Sequence, residues 1–264
     1  MPSRPADAAL RGERMASILV ELRKHGEVHV TELAETFGVS QATLRRDLAI
    51  LEDQGLCKRR YGGAVPTDSS TELPVAYRDR RSKAEKRAVA ETAAKLLPRG
   101  PQTVGFTGGS TTSEIARVLS SRVDLVVVTN ALNIAAEMAA KPRIRVVVSG
   151  GVARSQSTEL VGPWAEAALA QATIGTAYVG VDGLDIDGGL TTHDPVEART
   201  NAVLLEQAGR VIVVADASKF GRVLPGRIGG VQAADVVVTD SGADPTVLED
   251  LRARGIQVVI ASPA

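Results

Sequence analysis

Apolar positions recur at helical spacing from Glu13, where Met15, Ile18, Leu19 and Leu22 line one face and Gly26 supplies a stop. Val28 and Val30 make a short extended piece, after which Thr31 is placed to cap a second helix with Leu33, Ala34 and Phe37 facing inward. Gly38, Val39 and Ser40 form a tight corner. With Ser40 as N-cap, Leu44, Leu48 and Leu51 fall at i, i+4 and i+7 on a third helix. Ala42, Arg46 and Ala49 then point away from that stripe, with Thr43 and Arg45 on its shoulders and Asp47 and Glu52 on its flanks. Leu56 to Pro66 reads as a hairpin with Gly62-Gly63 at the turn. Two regions lack a sustained period: Met1 to Gly12 (1–12) reads as a loose tail, and Thr67 to Ser82 (67–82), with Pro74 and a TDSST cluster, as a linker.

Lys83 to Leu97 regains helical spacing, and from there one theme repeats. A β-branched run ends in small polar residues and gives way to a helical or polar segment. The runs are Thr103 to Phe106, Leu125 to Val128, Arg145 to Val148, Ala177 to Val181, Val211 to Val214 and Val236 to Val238. Strands this apolar are expected to be buried on both faces, as in a parallel sheet covered by helices, whose ligands bind beyond the strands' carboxyl ends. The fold class predicted is α/β: a small winged helix-turn-helix domain at 13–66 and a larger α/β domain at 83–264.

Composition narrows the partners less than local placement does. The 264 residues include 44% hydrophobic and 23% charged positions, enough for a substantial core, and the net charge is zero. The first 87 residues hold 16 Lys and Arg against 13 Asp and Glu, a weak asymmetry. A nucleic-acid partner is therefore argued from Arg45, Arg46 and the run Lys58, Arg59, Arg60. The small residues of the third helix let its backbone approach a wide groove, and guanidinium forks bridge guanine O6 and N7 or hold phosphate. The DNA-binding set expected is Ser40, Gln41, Ala42, Thr43, Arg45 and Arg46, with Lys58, Arg59 and Arg60 as a wing on phosphates or in the minor groove. A solvated amphipathic helix and an ordinary basic turn are the plainer readings of the same residues. One cysteine, Cys57, excludes an internal disulfide framework, and no apolar run is long enough for a membrane span, so a cytoplasmic location is expected.

Candidate chemistry gathers at the strand ends. Thr107 to Thr112, TGGSTT, combines glycines, hydroxyls and a helix start, for which a phosphate is the natural guest. Neither a nucleotide P-loop nor a GxGxxG fingerprint is present, and no cofactor is expected. Asp182, Asp185, Asp187, His193, Asp194 and Glu197 form an acidic stretch whose spacing fits no metal pattern and whose groups suit sugar hydroxyls. His193 also suits a helix-start role toward Val196, Lys219 supplies a cation, and Trp164 is expected to pack. His25 and His29 read as surface residues.

Arg14, Ile18 and Leu22, followed by Ser40, Thr43, Leu44, Arg45, Arg46, Asp47 and Leu48, resemble the helix-turn-helix signature of DeoR-type bacterial transcriptional regulators. The stretches VVVTNALNIAAEM, VVVSGGVARSQSTELVGPWAEAAL, YVGVDGLDIDGGLTTHDPVEART and VVVADASKFGR resemble the sensor half of that family, a fold similar to ribose-5-phosphate isomerase. The resemblance runs through nearly the whole chain from Glu13. It implies that Arg45 and Arg46 contact an operator with Asp47 orienting them. It also implies that a phosphorylated sugar is held by Thr107, Gly108, Gly109, Ser110, Thr111, Thr112, Thr129, Asn130, Gly150, Gly151, Asp182, Glu197 and Lys219, to which the residue reading adds His193. Many members carry Asp where this chain has Thr107.

The leading expectation is a ligand-controlled repressor of a carbohydrate-metabolism operon, a homo-oligomer of two or four chains on double-stranded DNA, with no catalytic residue. The rival is a sugar-phosphate isomerase or deaminase with a DNA-binding appendage, using Glu197 as base. The related isomerase has a lysine shortly before its acidic residue, and Gly183 to Val196 has none. A third reading makes the second domain an assembly platform.

Overall fold

The computed structural model describes residues 5–67, 72, 74–78 and 83–262, and the chain divides into two compact units, Met1–Arg81 and Ser82–Ala264. The expected tail at 1–4 and the linker positions 68–71, 73 and 79–82 lie outside the described residues.

The first unit runs α1 (Pro5–His25), β1 (Val28–His29), α2 (Val30–Phe37), α3 (Gln41–Asp53), β2 (Cys57–Arg60), β3 (Gly63–Pro66) and α4 (Val75–Arg78). The first helix begins eight residues earlier than the apolar period indicated. Pro5 suits a first turn and Ala6, Ala8 and Ala9 are strong helix formers, so propensity extends the helix where no core face demands it. The second helix is preceded by His29, which makes no side-chain cap, so the expected capping by Thr31 is corrected: Thr31 already lies inside the helix. Gly38, at φ 62°, closes α2 in the left-handed conformation that favours glycine. Ser40 does cap α3, accepting from the Thr43 amide at 3.1 Å.

Leu44, Leu48 and Leu51 are buried against Ile18, Leu19 and Leu22 of α1, with Val28, Leu33 and Leu56 completing the core. The hairpin turn is Tyr61-Gly62 rather than Gly62-Gly63, since Arg60 pairs with Gly63. The reason is steric. β1 pairs with β3, and a Cβ on Gly63 would lie 1.9 Å from the Val28 carbonyl oxygen, so Gly63 is needed inside the sheet while Gly62, at φ 81°, makes the turn. Part of the expected linker is ordered: Val75 of α4 is buried, and the Tyr77 hydroxyl donates to Gln54 Oε1 at 2.6 Å.

The second unit opens with α5 (Lys83–Ala94), β4 (Gln102–Phe106), α6 (Ser110–Leu119), β5 (Leu125–Thr129), α7 (Leu132–Ala139) and β6 (Ile144–Val148). A hairpin, β7 (Val152–Arg154) and β8 (Glu159–Val161), leads to α8 (Pro163–Leu169), β9 (Thr176–Gly180), β10 (Gly183–Asp185), β11 (Gly189–Thr192) and α9 (Pro195–Glu206). Then come β12 (Val211–Val214), β13 (Gly226–Gly229), β14 (Val236–Asp240), α10 (Pro245–Ala253) and β15 (Gln257–Ala261). Seven strands form a parallel sheet in the order β15-β14-β12-β9-β4-β5-β6. Each of the six apolar runs is one of these strands; the seventh, β15, had not been singled out.

Two apolar clusters, one containing Phe106, Ile115, Ile134 and Tyr178 and the other Val179, Leu184, Leu204 and Val213, supply the core. Phe106 and Tyr178 stack with ring centroids 5.4 Å apart, and the Tyr178 hydroxyl donates to the Ala93 carbonyl at 3.1 Å. Burial on both faces holds for the inner strands and fails at the edge: Val147 and Val148 of β6 are exposed.

The chain starts the sheet at β4, adds β5 and β6 on one side, then returns to place β9, β12, β14 and β15 on the other. The strand order therefore reverses between β4 and β9. In open parallel sheets this is where the crevice beyond the carboxyl ends opens for a ligand.

Candidate functional site

The first unit presents a candidate nucleic-acid interface. Gln41, Ala42, Arg45 and Arg46 are exposed on α3, Thr43 is half-buried, and the exposed Ser40 serves as the cap. Arg45 donates to Gln41 Oε1 at 3.2 Å, and Arg46 has no ion-pair partner among the described residues. Asp47 does not orient them. It is buried at 1% exposure and accepts from Arg14 Nε at 2.6 Å, so it locks α3 onto α1. The heptad position that put it on a flank is overridden by this partner 33 residues away. On the hairpin Lys58, Arg59 and Arg60 are exposed, and Tyr61 at its tip is fully so. Arg59 is engaged: its amide and Nε both donate to the Glu52 carboxylate, which this bonding holds below its ordinary value of 4.5. Cys57 lies in the core beneath, its thiol pushed up to about 11 by burial, which makes it a poor nucleophile.

In the second unit the loop after β4 meets the end of β9 at the strand-order reversal. Thr107 is fully buried, and its Oγ1 accepts from the Gly180 amide at 3.0 Å, tying the two strand ends together. A Cβ on Gly180 would approach the Gly108 carbonyl to 2.9 Å, so the approach needs glycine. Gly109, at φ 136°, precedes α6 without a side-chain cap, and Ser110 and Thr111 in its first turn are half-buried. Backbone donors of that turn and two hydroxyls thus face the reversal. Thr112 is fully buried and donates to the Gly109 carbonyl at 3.0 Å, and Thr129 donates to the Phe106 carbonyl at 2.8 Å; both hold loops in shape. Asn130 donates to Asn201 Oδ1 at 3.0 Å, while its own Oδ1 is buried without a donor. Gly150 and Gly151, at φ 74° and 119°, turn the chain out of β6 into the β7–β8 hairpin.

That hairpin delivers two residues the sequence reading had not singled out, Arg154 and Glu159. Glu159 is 1% exposed and its Oε1 accepts from the Gly108 amide at 2.5 Å. It also hydrogen-bonds Glu197 and Asn201. Glu197, buried in the first turn of α9, accepts from Arg154 Nη1 at 3.0 Å and from Thr192 Oγ1 at 2.7 Å. Thr192 Oγ1 also lies 3.1 Å from Asp182 Oδ2, and Asp182 Oδ1 accepts from Lys219 Nζ at 3.0 Å. A continuous polar chain therefore links the ends of β4, β5, β8, β9 and β11. Burial, then the neighbouring Glu197 charge, raises the Glu159 carboxyl well above its ordinary range.

The acidic stretch divides by role. Asp182 and Glu197 join this chain. Asp194, not His193, caps α9, accepting from the Val196 and Glu197 amides at 2.9 Å, and Asp185 holds the β10–β11 turn through the Asp187 and Gly188 amides. His193 is half-buried in the same loop. Among the described residues no three His, Cys, Asp or Glu side chains are grouped to hold a metal ion, and no helix is long and apolar enough to cross a membrane. Trp164 stands 78% exposed at the start of α8, which corrects the expectation that it packs: the helix turns its Ala165 and Leu169 inward instead.

Two family models match. Residues 14–70 match the DeoR-like helix-turn-helix domain, and residues 81–241 the DeoR C terminal sensor domain. A protein of Escherichia coli O157:H7, provisionally named as the aga operon transcriptional repressor, is 37% identical over 94% of this chain and 93% of its own length. The HTH-type transcriptional regulator GlpR of Haloferax volcanii is 36% identical over 87% of this chain and 90% of its own. The glycerol-3-phosphate regulon repressor of Escherichia coli K12 is 32% identical over 93% and 97%. Among solved structures, a ribose 5-phosphate isomerase A from Methanocaldococcus jannaschii aligns over 51% of this chain and 53% of its own, with 19% identity and a TM-score of 0.38.

Proposed function

The chain belongs to the DeoR family of DNA-binding transcriptional regulators, and we propose that within it this protein represses a carbohydrate-metabolism operon under the control of a phosphorylated sugar. The relatives named for sugar-related operons support the choice of operon class. The observation that carries the effector half is the meeting of the Gly108–Gly109 loop with the end of β9 at the strand-order reversal. There the first turn of α6 offers backbone donors and the Ser110 and Thr111 hydroxyls to an anion, while Asp182, Glu197, Lys219 and His193 stand by for sugar hydroxyls. Thr107, Thr112, Thr129 and Asn130 shape these loops from beneath. Arg45 and Arg46 read base edges, and Lys58 and Arg60 hold phosphates. Two or four chains would set their heads on repeated half-sites about one helical turn, or multiples of it, apart. The effector acts through a differential affinity for the operator-bound and free arrangements.

A thermal-shift screen of the full chain against phosphorylated sugars tests this, repeated with a Ser110→Ala/Thr111→Ala variant and followed by release of an operator fragment. A shift lost in the variant, together with release, is the expected result. No shift across the panel favours an assembly platform, and turnover of ribose 5-phosphate favours an enzyme.

A further inference from the structure

Glu159 is the one acid of the second unit whose carboxylate oxygen sits on the glycine-rich loop itself. Its Oε1 accepts from the Gly108 amide, and a Cβ on Gly108 would overlap its side chain at 2.5 Å, so loop and acid are packed in direct contact. Its other neighbours are Glu197 and Asn201 of α9. Glu197 has both oxygens committed, one to Arg154 and one to Thr192. Two carboxyl groups in hydrogen-bond contact need a proton between them. The ion pair with Arg154 makes Glu197 the charged member, which leaves the proton on Glu159, donated to Glu197 while Oε1 accepts from Gly108. The charges around the pair are Arg154 and Asp194 beside Glu197, and Asp182 with Lys219 beyond Thr192, with His193 in the same loop.

We propose that Glu159 sets the charge selectivity of the effector site: held as a neutral acid against Gly108, it leaves the loop receptive to an anion, and its ionisation closes the loop to anions. This deepens the sugar-phosphate reading and rests on it. A carboxylate next to Gly108 would be a built-in competitor for the backbone donors that a phosphate needs, and a like charge beside it. A neutral acid keeps the loop folded without either effect. Burial and the Glu197 charge act in the direction that keeps the proton in place. Binding of an anion and retention of this proton are then linked, so each favours the other.

Sulfate is the probe, because its charge is constant between about pH 6 and about pH 9, unlike that of a phosphate ester. Binding to the full chain is measured by thermal shift against chloride at matched ionic strength, in wild type and in Glu159→Gln. Glutamine reproduces the neutral acid: its amide donates to Glu197 and its carbonyl accepts from Gly108. The expected result is wild-type affinity weaker by roughly tenfold or more at the alkaline end, with Glu159→Gln nearly level across the range. His193 is present in both proteins, so its own titration cancels. Equal pH dependence in the two, or none in either, overturns the inference while leaving the anion site standing. No sulfate-specific shift in either protein at any pH overturns the anion site as well. A second measurement needs no ligand: the infrared difference spectrum of wild type minus Glu159→Gln at neutral pH shows the carbonyl band of a protonated carboxylic acid. A pair of carboxylate bands there overturns the proposal.

Discussion

The reading face of α3 and the polar chain at the strand ends both depend on acids and cations, and they use them in opposite ways. On α3 the cations are outward and exposed, and the one buried acid, Asp47, is spent on fixing the helix to α1 through Arg14. At the strand ends the acids are inward, and nearly every side chain is already bonded to another: Glu159 to Glu197, Glu197 to Arg154, Asp182 to Lys219. A surface that must meet a duplex carrying its own charges needs only a rigid mount and free guanidinium groups. A site for a small anion must be arranged in advance, because in a low-dielectric interior any unpaired charge or orphan polar group is costly.

The sharpest way to break this contrast is to cut the mount. Arg14→Ala leaves the Asp47 carboxylate buried without its partner, and removing one member of such a pair costs about 3–5 kcal/mol. The expected outcome is unfolding of the head at a much lower denaturant concentration, followed by circular dichroism, while the second unit's own transition stays in place. Coincident loss of both transitions would show that the two units do not fold separately. Arg46→Ala comes next: about 1–3 kcal/mol of operator discrimination is lost in a binding titration against operator and scrambled DNA, with no change in the head's stability. An unchanged ratio would mean that Arg46 holds phosphate rather than a base.

The same contrast explains what the sequence disclosed. The apolar stripe of α3, its Ser40 cap and the outward Arg45 and Arg46 are local features with a 3.6-residue period, and six of the seven sheet strands are continuous apolar runs. Both are written within a dozen residues of chain. The pairing of Asp47 with Arg14 spans 33 residues and that of Glu159 with Gly108 spans 51, and no period encodes either. Glu159 in particular sits in a three-residue strand between a turn and a helix, where a lone glutamate reads as surface. β15 was passed over because its pattern, exposed at both Gln257 and Ile260, is that of an edge strand rather than an inner one. The Tyr61-Gly62 turn was misplaced by one residue because the reason for Gly63, the close approach of the Val28 carbonyl, comes from a third strand.

Wing cations should separate from reading cations by salt. Replacing Lys58 and Arg60 together by alanine is expected to weaken binding to operator and scrambled DNA alike and to lower the slope of log affinity against log salt by about 2, close to 0.9 per phosphate released. A selective loss on the operator would place these side chains on bases.

Arg59→Ala is expected to have the smallest effect. The three wing cations look equivalent in sequence, but Arg59 is the one whose guanidinium already answers a carboxylate, Glu52, at the end of α3. Its charge is largely cancelled before DNA arrives, so deleting it should change the salt slope by well under one unit. The converse substitution sharpens the point: Glu52→Gln frees Arg59 and should raise affinity for all sequences and steepen the slope. Acid does the same work reversibly. The folded Glu52 carboxyl titrates below its ordinary 4.5, so the ion pair is complete at neutral pH and is lost only as pH falls through that depressed value. Both proteins should therefore converge in salt slope in acid and differ near neutrality. An Arg59→Ala loss equal to that of Lys58→Ala or Arg60→Ala at neutral pH would mean that the duplex outcompetes Glu52, and that the wing rearranges on binding.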